Sequence, residues 1–232
     1  MALTRLQSAP VGHGVSSTTV ALTFSSACTP GSFIVVVTAT RASSLQAGFQ
    51  VSDGVNAGNY AKDAANTGGA GNCGLAITSI QNTASSALTI TTNLVASVGD
   101  SWMLAEEWAG VATSSALDAG NAAASGSSTS PLSNSITTAA GNELIIGAYS
   151  LAFSTTVTAG SGYNLDPQTP GTGYIAMEYS TSNSAGSNSA GFALGASENW
   201  QCAIAAYKVA PVLTLNPVQL MHRKYQILTN NQ

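Results

Sequence analysis

The chain has 232 residues, enough for one large domain or two small ones, and 7% of them are charged, against roughly 25% in an ordinary globular domain. Gly, Ala, Ser, Thr and Asn fill the places that Lys and Glu usually take, so hydroxyls and amides must carry solubility. A net charge of −4 gives no long-range field to draw in a phosphate backbone, which excludes nucleic acid as an expected partner.

The N-terminal stretch MALTRLQSAPVGHG lacks the apolar run of a signal peptide. No run of eighteen apolar residues follows, so no transmembrane helix and no membrane insertion are expected. TVALTF (19–24) alternates, with Val20, Leu22 and Phe24 on one face and Thr19, Ala21 and Thr23 on the other, as a half-buried strand requires. SFIVVVTATR (32–41) is β-branched and continuous, which predicts a central strand buried on both faces.

Further strands are expected at 47–53, 73–80, 87–94, 100–111, 134–138, 142–152, 173–181, 190–195 and 199–209, with Gly, Asn, Ser and Pro clusters between them as turn signals. AKDAANTGG and LDAGNAAASG are alanine-containing, but their Gly and Asn residues would stop a helix within a turn or two. The Ser/Thr/Gly-rich segment 122–133 reads as an extended surface loop inside the fold. About ten short strands at this spacing predict an all-β protein, an antiparallel β-sandwich of jelly-roll-like type over residues 1–209. Pro211 and Pro217 then interrupt regular structure and set off a C-terminal arm, 210–232.

Four stretches carry a resemblance. EWAGV (107–111), LDAGNAAASGSS (117–128), SITTAAGNELIIGAYS (135–150) and ENWQCAIAAYK (198–208) are similar to a β-sandwich domain of phage virion proteins and large bacterial surface proteins. In that family an acidic-aromatic strand end with a following Gly leads to "LD", then a Ser/Thr-rich loop. A "TTxxGN[ED]L" strand entry follows, and a last strand begins near a Trp and ends on an aromatic-Lys pair. The similarity covers about half the chain, mostly 100–208. It implies a sandwich fold and a virion or cell-surface setting, and no assigned chemistry.

The residues themselves offer little for catalysis. No HExxH, paired-cysteine or EF-hand pattern occurs, so neither a metal nor a cofactor is expected. Asp53, Asn56, Asn59 and Asp63 have the residue types of a calcium loop at the wrong spacing, and a turn is the simpler reading. There is no GxSxG elbow, and a triad would need His13 or His222, one near each end of the chain. Glycosidase chemistry needs two acids facing one sugar. Glu106 and Glu107 are adjacent on an expected strand and point to opposite faces, leaving Glu143 or Glu178 as a partner from another strand. The plain alternative is that each acid caps loop backbone while its aromatic neighbour packs. Trp102 and Trp108 share a face with Leu104, which suits a core; with Trp200 they are also the material of a sugar-stacking surface. Cys28, Cys73 and Cys202 are odd in number and unclustered, and read as small buried hydrophobes in a protein made in the cytoplasm.

Charge separates the arm from the body. Up to Tyr207 there are three basic residues and all ten acids, a formal −7; from Lys208 onward there are three basic residues and no acid. Leu213, Leu215, Val218, Leu220, Met221, Tyr225, Ile227 and Leu228, with Arg223 and Lys224, form an apolar and basic segment that needs a surface to cover it. It can fold back on its own sandwich or lie on another subunit. The resulting expectation is a non-enzymatic phage virion structural protein on the virion surface, a capsid decoration or cement protein forming a homotrimer. Its partners would be itself and the major capsid protein or another virion protein. Two alternatives stand beside it: a receptor- or glycan-binding tail-fibre or adhesin module, with host glycan as partner and specificity in the loops around 53–63 and 155–173, and a polysaccharide-degrading enzyme.

Overall fold

The computed structural model describes residues 2–41, 49–56, 60–66, 73–81, 83–84, 89–121 and 123–211. Its strands are β1 (Thr4–Ser8), β2 (Gly12–Thr23), β3 (Phe33–Thr40), β4 (Gln50–Ser52), β5 (Ala61–Asn66), β6 (Gly74–Ile80), β7 (Thr89–Ala109) and β8 (Leu117–Ala119). They continue as β9 (Ala124–Ser128), β10 (Ile136–Thr138), β11 (Leu144–Ala159), β12 (Asn164–Leu165), β13 (Thr172–Ser180), β14 (Gly186–Asn188), β15 (Phe192–Leu194) and β16 (Glu198–Tyr207). No helix occurs among the described residues.

Two seven-stranded antiparallel sheets pack face to face as a β-sandwich. The first runs β1-β7-β3-β6-β5, with β2 and β4 also paired to β7; the second runs β12-β13-β11-β16-β8, with β15 on β11 and β9 on β16. Each sheet is therefore drawn from one contiguous half of the chain. A two-stranded ribbon, β10-β14, pairs with neither sheet and packs Ile136 on Ile145, Ile204 and Ala206 of the second.

The period-2 pattern explains where the core sits. On β3, Phe33, Val35 and Val37 face the second sheet and meet Leu144, Ile146, Ile175, Met177 and Ala205 in the central cluster. The alternate residues Ile34 and Val36 face the other way, yet they are fully buried too. They are covered by Val20 and Leu22 of β2, by Phe24 just after it, and by Ile90 and Leu94 from the first half of β7. The uninterrupted apolar run of β3 thus has its cause in a second layer over the sheet's outer face.

That layer exists because β7 doubles back on its own sheet. Of the segments 87–94 and 100–111, expected as two strands, residues 89–94 and 100–109 belong to one strand of 21 residues, Thr89–Ala109. Its Thr92 hydroxyl reaches Thr38 of β3 at 3.0 Å and donates to Met103 Sδ of the same strand at 3.4 Å, so its first half lies over its second. The second sheet repeats the device: the far half of β11 and β15 bring Val157, Phe192 and Leu194 onto Tyr149 and Leu151.

Two local expectations differ from the structure. AKDAAN is strand β5, since pairing to β6 supplies the ladder that its alanines do not advertise. The segment expected as a loop at 122–133 contains β9, whose Ser and Gly residues pair along β16 as an edge strand.

Candidate functional site

The glutamates that a glycosidase would use are all buried. Glu106 of β7 accepts from Arg5 Nη1 at 2.9 Å and from Trp108 Nε1 at 2.8 Å. Its third partner is Asp166, in the turn after β12. Burial, and then the hydrogen bond and charge of Asp166, push the Glu106 carboxyl well above the usual range against the opposing pull of Arg5 and Trp108. Asp166 accepts from Ser8 Oγ and from Gln168 N, and Arg5 lies 4.7 Å over the Tyr179 ring. Arg5 and Asp166 carry no motif, and 161 residues of sequence separate them, so local reading had no signal for this cluster. Glu106 is 0% and Asp166 2% exposed, so no sugar reaches the pair, and its place between the sheets makes it a latch.

Glu107 takes up a separate task on the opposite side of β7, accepting from Gln7 Nε2 at 2.6 Å and Thr29 N at 2.6 Å. Glu178 of β13 caps two loops, accepting from Gly160 N at 2.8 Å and Gly191 N at 3.1 Å. Burial outweighs those bonds and raises its carboxyl to about 8. Gly147 is the floor beneath it, for a Cβ there would lie 2.8 Å from Glu178 Oε1 and 2.5 Å from Ala190 Cβ. Glu143 is raised to about 7 by burial and by neighbouring Asp118. Asp118 in turn accepts from Ala139 N at 2.7 Å and lies 3.8 Å from Lys208 Nζ. Each of the four glutamates has its own set of partners.

The acids of 53–63 are likewise divided. Asp53 closes its own turn, accepting from Val55 N, Asn56 N, Asn56 Nδ2 and Tyr60 OH. Asp63 points inward, where Tyr207 OH donates to it at 2.7 Å across the two sheets. Asn59 lies outside the described residues. Among the described residues no group of His, Cys, Asp and Glu is arranged to hold a metal. All three cysteines are buried and unpaired to one another.

The two ends of the sandwich differ in character. At one, Trp102 is stacked between His13, at 5.1 Å, and Tyr174, at 4.5 Å, so both its faces are covered. Arg41 lies over Tyr174 and Phe153, and Asp100 joins His13 at 3.2 Å and Arg41 at 3.6 Å. Trp108 and Trp200 are buried in apolar clusters. The tryptophans are therefore packing residues, and the exposed ring of this end is Phe153, 59% accessible.

At the other end both described chain termini meet Gly110. Its φ is +86°, and a Cβ would lie 2.3 Å from Ala2 O, so glycine alone lets the N-terminal strand close on this turn. Ala210 N donates to Gly110 O at 2.7 Å, and Val209 bridges Val111. The chain beyond Pro211 thus sets out from this end. From Asp100 to Gly110 the separation is about 30 Å at the rise of an extended strand. The candidate docking residues Leu213, Leu215, Val218, Leu220, Met221, Arg223, Lys224, Tyr225, Ile227 and Leu228, and His222, lie outside the described residues.

Comparison of the chain with known protein families, with characterised proteins and with solved structures finds no match.

Proposed function

We propose that this chain is a non-enzymatic phage virion protein, a capsid decoration or cement protein that assembles as a homotrimer and staples neighbouring capsid subunits with its 210–232 arm. The observation that carries this reading is the meeting of Ala2 and Ala210 at Gly110, at the end of the sandwich away from Arg41, Asp100 and Phe153. A body held through that end leaves the other displayed.

Charge supports the same arrangement. The body up to Tyr207 is formally −7, while the arm carries Arg223 and Lys224 beside its apolar residues and no acid. Such a segment suits an acidic protein surface, and repetition over a symmetric shell turns modest single contacts into strong attachment. The separate structural partners of Glu106, Glu107, Glu143 and Glu178 speak against the polysaccharide-degrading alternative.

Light scattering coupled to size exclusion tests the proposal on full-length protein beside a version ending at Pro211. The expected result is a full-length mass three times the 23.2 kDa of one chain, falling to one chain on truncation. A monomer in both forms would overturn the trimer. Co-sedimentation of the full-length protein, but not the truncated one, with undecorated capsids is expected in addition; equal sedimentation of both would remove the arm from the mechanism.

A further inference from the structure

Lys208, Asp118 and Glu143 meet on the outer face of the second sheet. Ile145 of β11 and Ile204 and Ala206 of β16 point to that face, under Ile136 of the β10-β14 ribbon, and strand alternation puts Glu143 and Lys208 there too. The two are neighbours because Leu144 pairs with Tyr207. Asp118 arrives by another route. Ala119 of β8 pairs with Ala206 and Leu117 with Tyr207, which leaves Asp118 as the extra residue of a β-bulge, a device that re-aims a side chain.

The geometry is that of an amine held against a dry carboxyl. Lys208 Nζ lies 3.8 Å from Asp118 Oδ1, the side chains being 44% and 8% exposed. The Lys208 backbone is fixed on both sides, its N–H donating to Ala116 O at 2.8 Å and its carbonyl accepting from Ala112 N at 2.9 Å. Asp118 Oδ2 accepts from Ala139 N at 2.7 Å. Beside it stands Glu143, 2% exposed, whose Oε2 has no donor facing it among the described residues. Burial, and then the contact with Asp118, keep a proton on this acid pair. A surface ion pair would need only Lys208 and Asp118; the sealed third carboxyl is surplus to it.

We propose that Lys208 and Asp118 join in an intramolecular isopeptide bond, with Glu143 as the proton carrier. The Lys208 ammonium passes a proton to the Glu143 carboxylate while the pair's own proton rests on Asp118. The nitrogen then attacks Asp118 Cγ, and the carbonyl electron pair moves onto Oδ2, where the Ala139 N–H meets the developing charge. Glu143 protonates the other oxygen, which leaves as water; the C=O re-forms and the nitrogen returns a proton to Glu143. One C–N bond forms and one C–O bond breaks, with water as the sole product released and no co-reactant consumed. Holding both groups near contact supplies the effective concentration that an amine and a carboxyl lack in solution. The link closes the stretch 118–208, which contains β9 to β16 and so nearly the whole second sheet. It also anchors the chain at the residue where it leaves β16 for the 210–232 arm, and it does not depend on the virion reading.

Intact mass spectrometry of the denatured full-length protein, followed by peptide mapping, tests the bond. The protein is expected to weigh one water less than its sequence, trypsin should fail to cut after the acylated Lys208, and fragment spectra should show a branched peptide joining Asp118 to Lys208. Lys208→Arg keeps the charge opposite Asp118, and with it the fold, but forms no amide; it should show the full sequence mass, as should Asp118→Ala. Glu143→Gln should form the bond about a hundredfold more slowly in a time course after synthesis, the contribution of one acid–base group. A full sequence mass in the unaltered protein, a lost water that maps elsewhere, such as to a succinimide at Asp53-Gly54, or a lost water that survives in Lys208→Arg would each overturn the bond. An unchanged rate in Glu143→Gln would overturn the role given to Glu143.

Discussion

The carboxyl of Glu106 in the first sheet hydrogen-bonds the carboxylate of Asp166 at the edge of the second, with Arg5 and Trp108 on its remaining lone pairs. Burial first, and then the contact with a second acid, hold Glu106 well above the usual carboxylate range, so that it keeps its proton. Asp166 is tied to β13 through its own N–H, which donates to Met177 O at 2.8 Å. The bond therefore connects the two layers at a point where apolar packing alone would not specify register.

Replacing this acid separates its shape from its charge. Glu106→Gln keeps an acceptor for Arg5 or Trp108 and an N–H for Asp166, and is expected to lower stability by about 1 kcal/mol or less. Glu106→Ala takes a shared hydrogen-bond partner from Arg5, Trp108 and Asp166 at once, and a loss of about 3–5 kcal/mol is expected, at about 1–3 kcal/mol for each buried polar group left unsatisfied. Urea denaturation of the three proteins reads the difference; equal losses would mean that the polar network contributes nothing beyond side-chain volume.

Stability should fall as pH rises through neutrality. Glu106, Glu143, Glu178 and Asp63 are all raised, burial being the leading cause in each case. A raised carboxyl keeps its proton in the native state after the unfolded chain has lost it near the ordinary value of 4.5. Its stabilising effect is complete below that value and is lost as pH climbs through the native one. For Glu178 the window runs from 4.5 to about 8, with a slope of up to about 1.4 kcal/mol per pH unit. Asp53 has the opposite sign: burial raises it, but the bonds from Asn56, Val55 and Tyr60 outweigh burial and lower it, so it contributes above its ordinary value and fails in acid. Melting temperatures by calorimetry should be higher at pH 5 than at pH 8, with a shallower decline in Glu178→Gln; a flat profile would contradict the burial account.

Tyr207→Phe removes the hydroxyl that joins β16 to Asp63 of β5 and leaves the ring, which packs on Phe33 at 4.6 Å, in place. The buried Asp63 then loses a donor, and about 1–3 kcal/mol of stability should go with it. Chemical denaturation of the variant checks the value, and a change within error would show that Ser79, which already hydrogen-bonds Asp63, satisfies it without the tyrosine.

The thiols make a separate expectation. Cys28, Cys73 and Cys202 are at most 2% exposed, and burial, the largest cause, raises Cys28 to about 12. A thiol reagent should modify none of them in native protein and all three in denaturant, because the thiolate is the reactive form. A fast-reacting thiol in the native state would place one of the three at the surface.

What was legible in the sequence was local. Val20, Leu22 and Phe24 were read as one buried face from their spacing alone, and the continuous apolar run of β3 announced burial on both sides. The divergence of Glu106 and Glu107 followed from the pleat, and it holds in their separate partners. The burial of Trp102 and Trp108 beside Leu104 was legible for the same reason. β5 and β9 were not, because edge pairing formed strands from residues with weak preferences of their own.

By itself, then, the sequence determined a sparsely charged, all-β chain with apolar faces at period two, an acidic body and a basic arm, since each is a property of composition or of neighbours a few residues apart. Only the tertiary structure decided that Glu106 meets Asp166, that Asp63 meets Tyr207, that β7 folds over its own sheet and that the ends meet at Gly110. It alone placed Lys208 beside Asp118 and Glu143. These relationships depend on which strands pair, and pairing is a contest among all the strands at once, in which no single segment carries the answer.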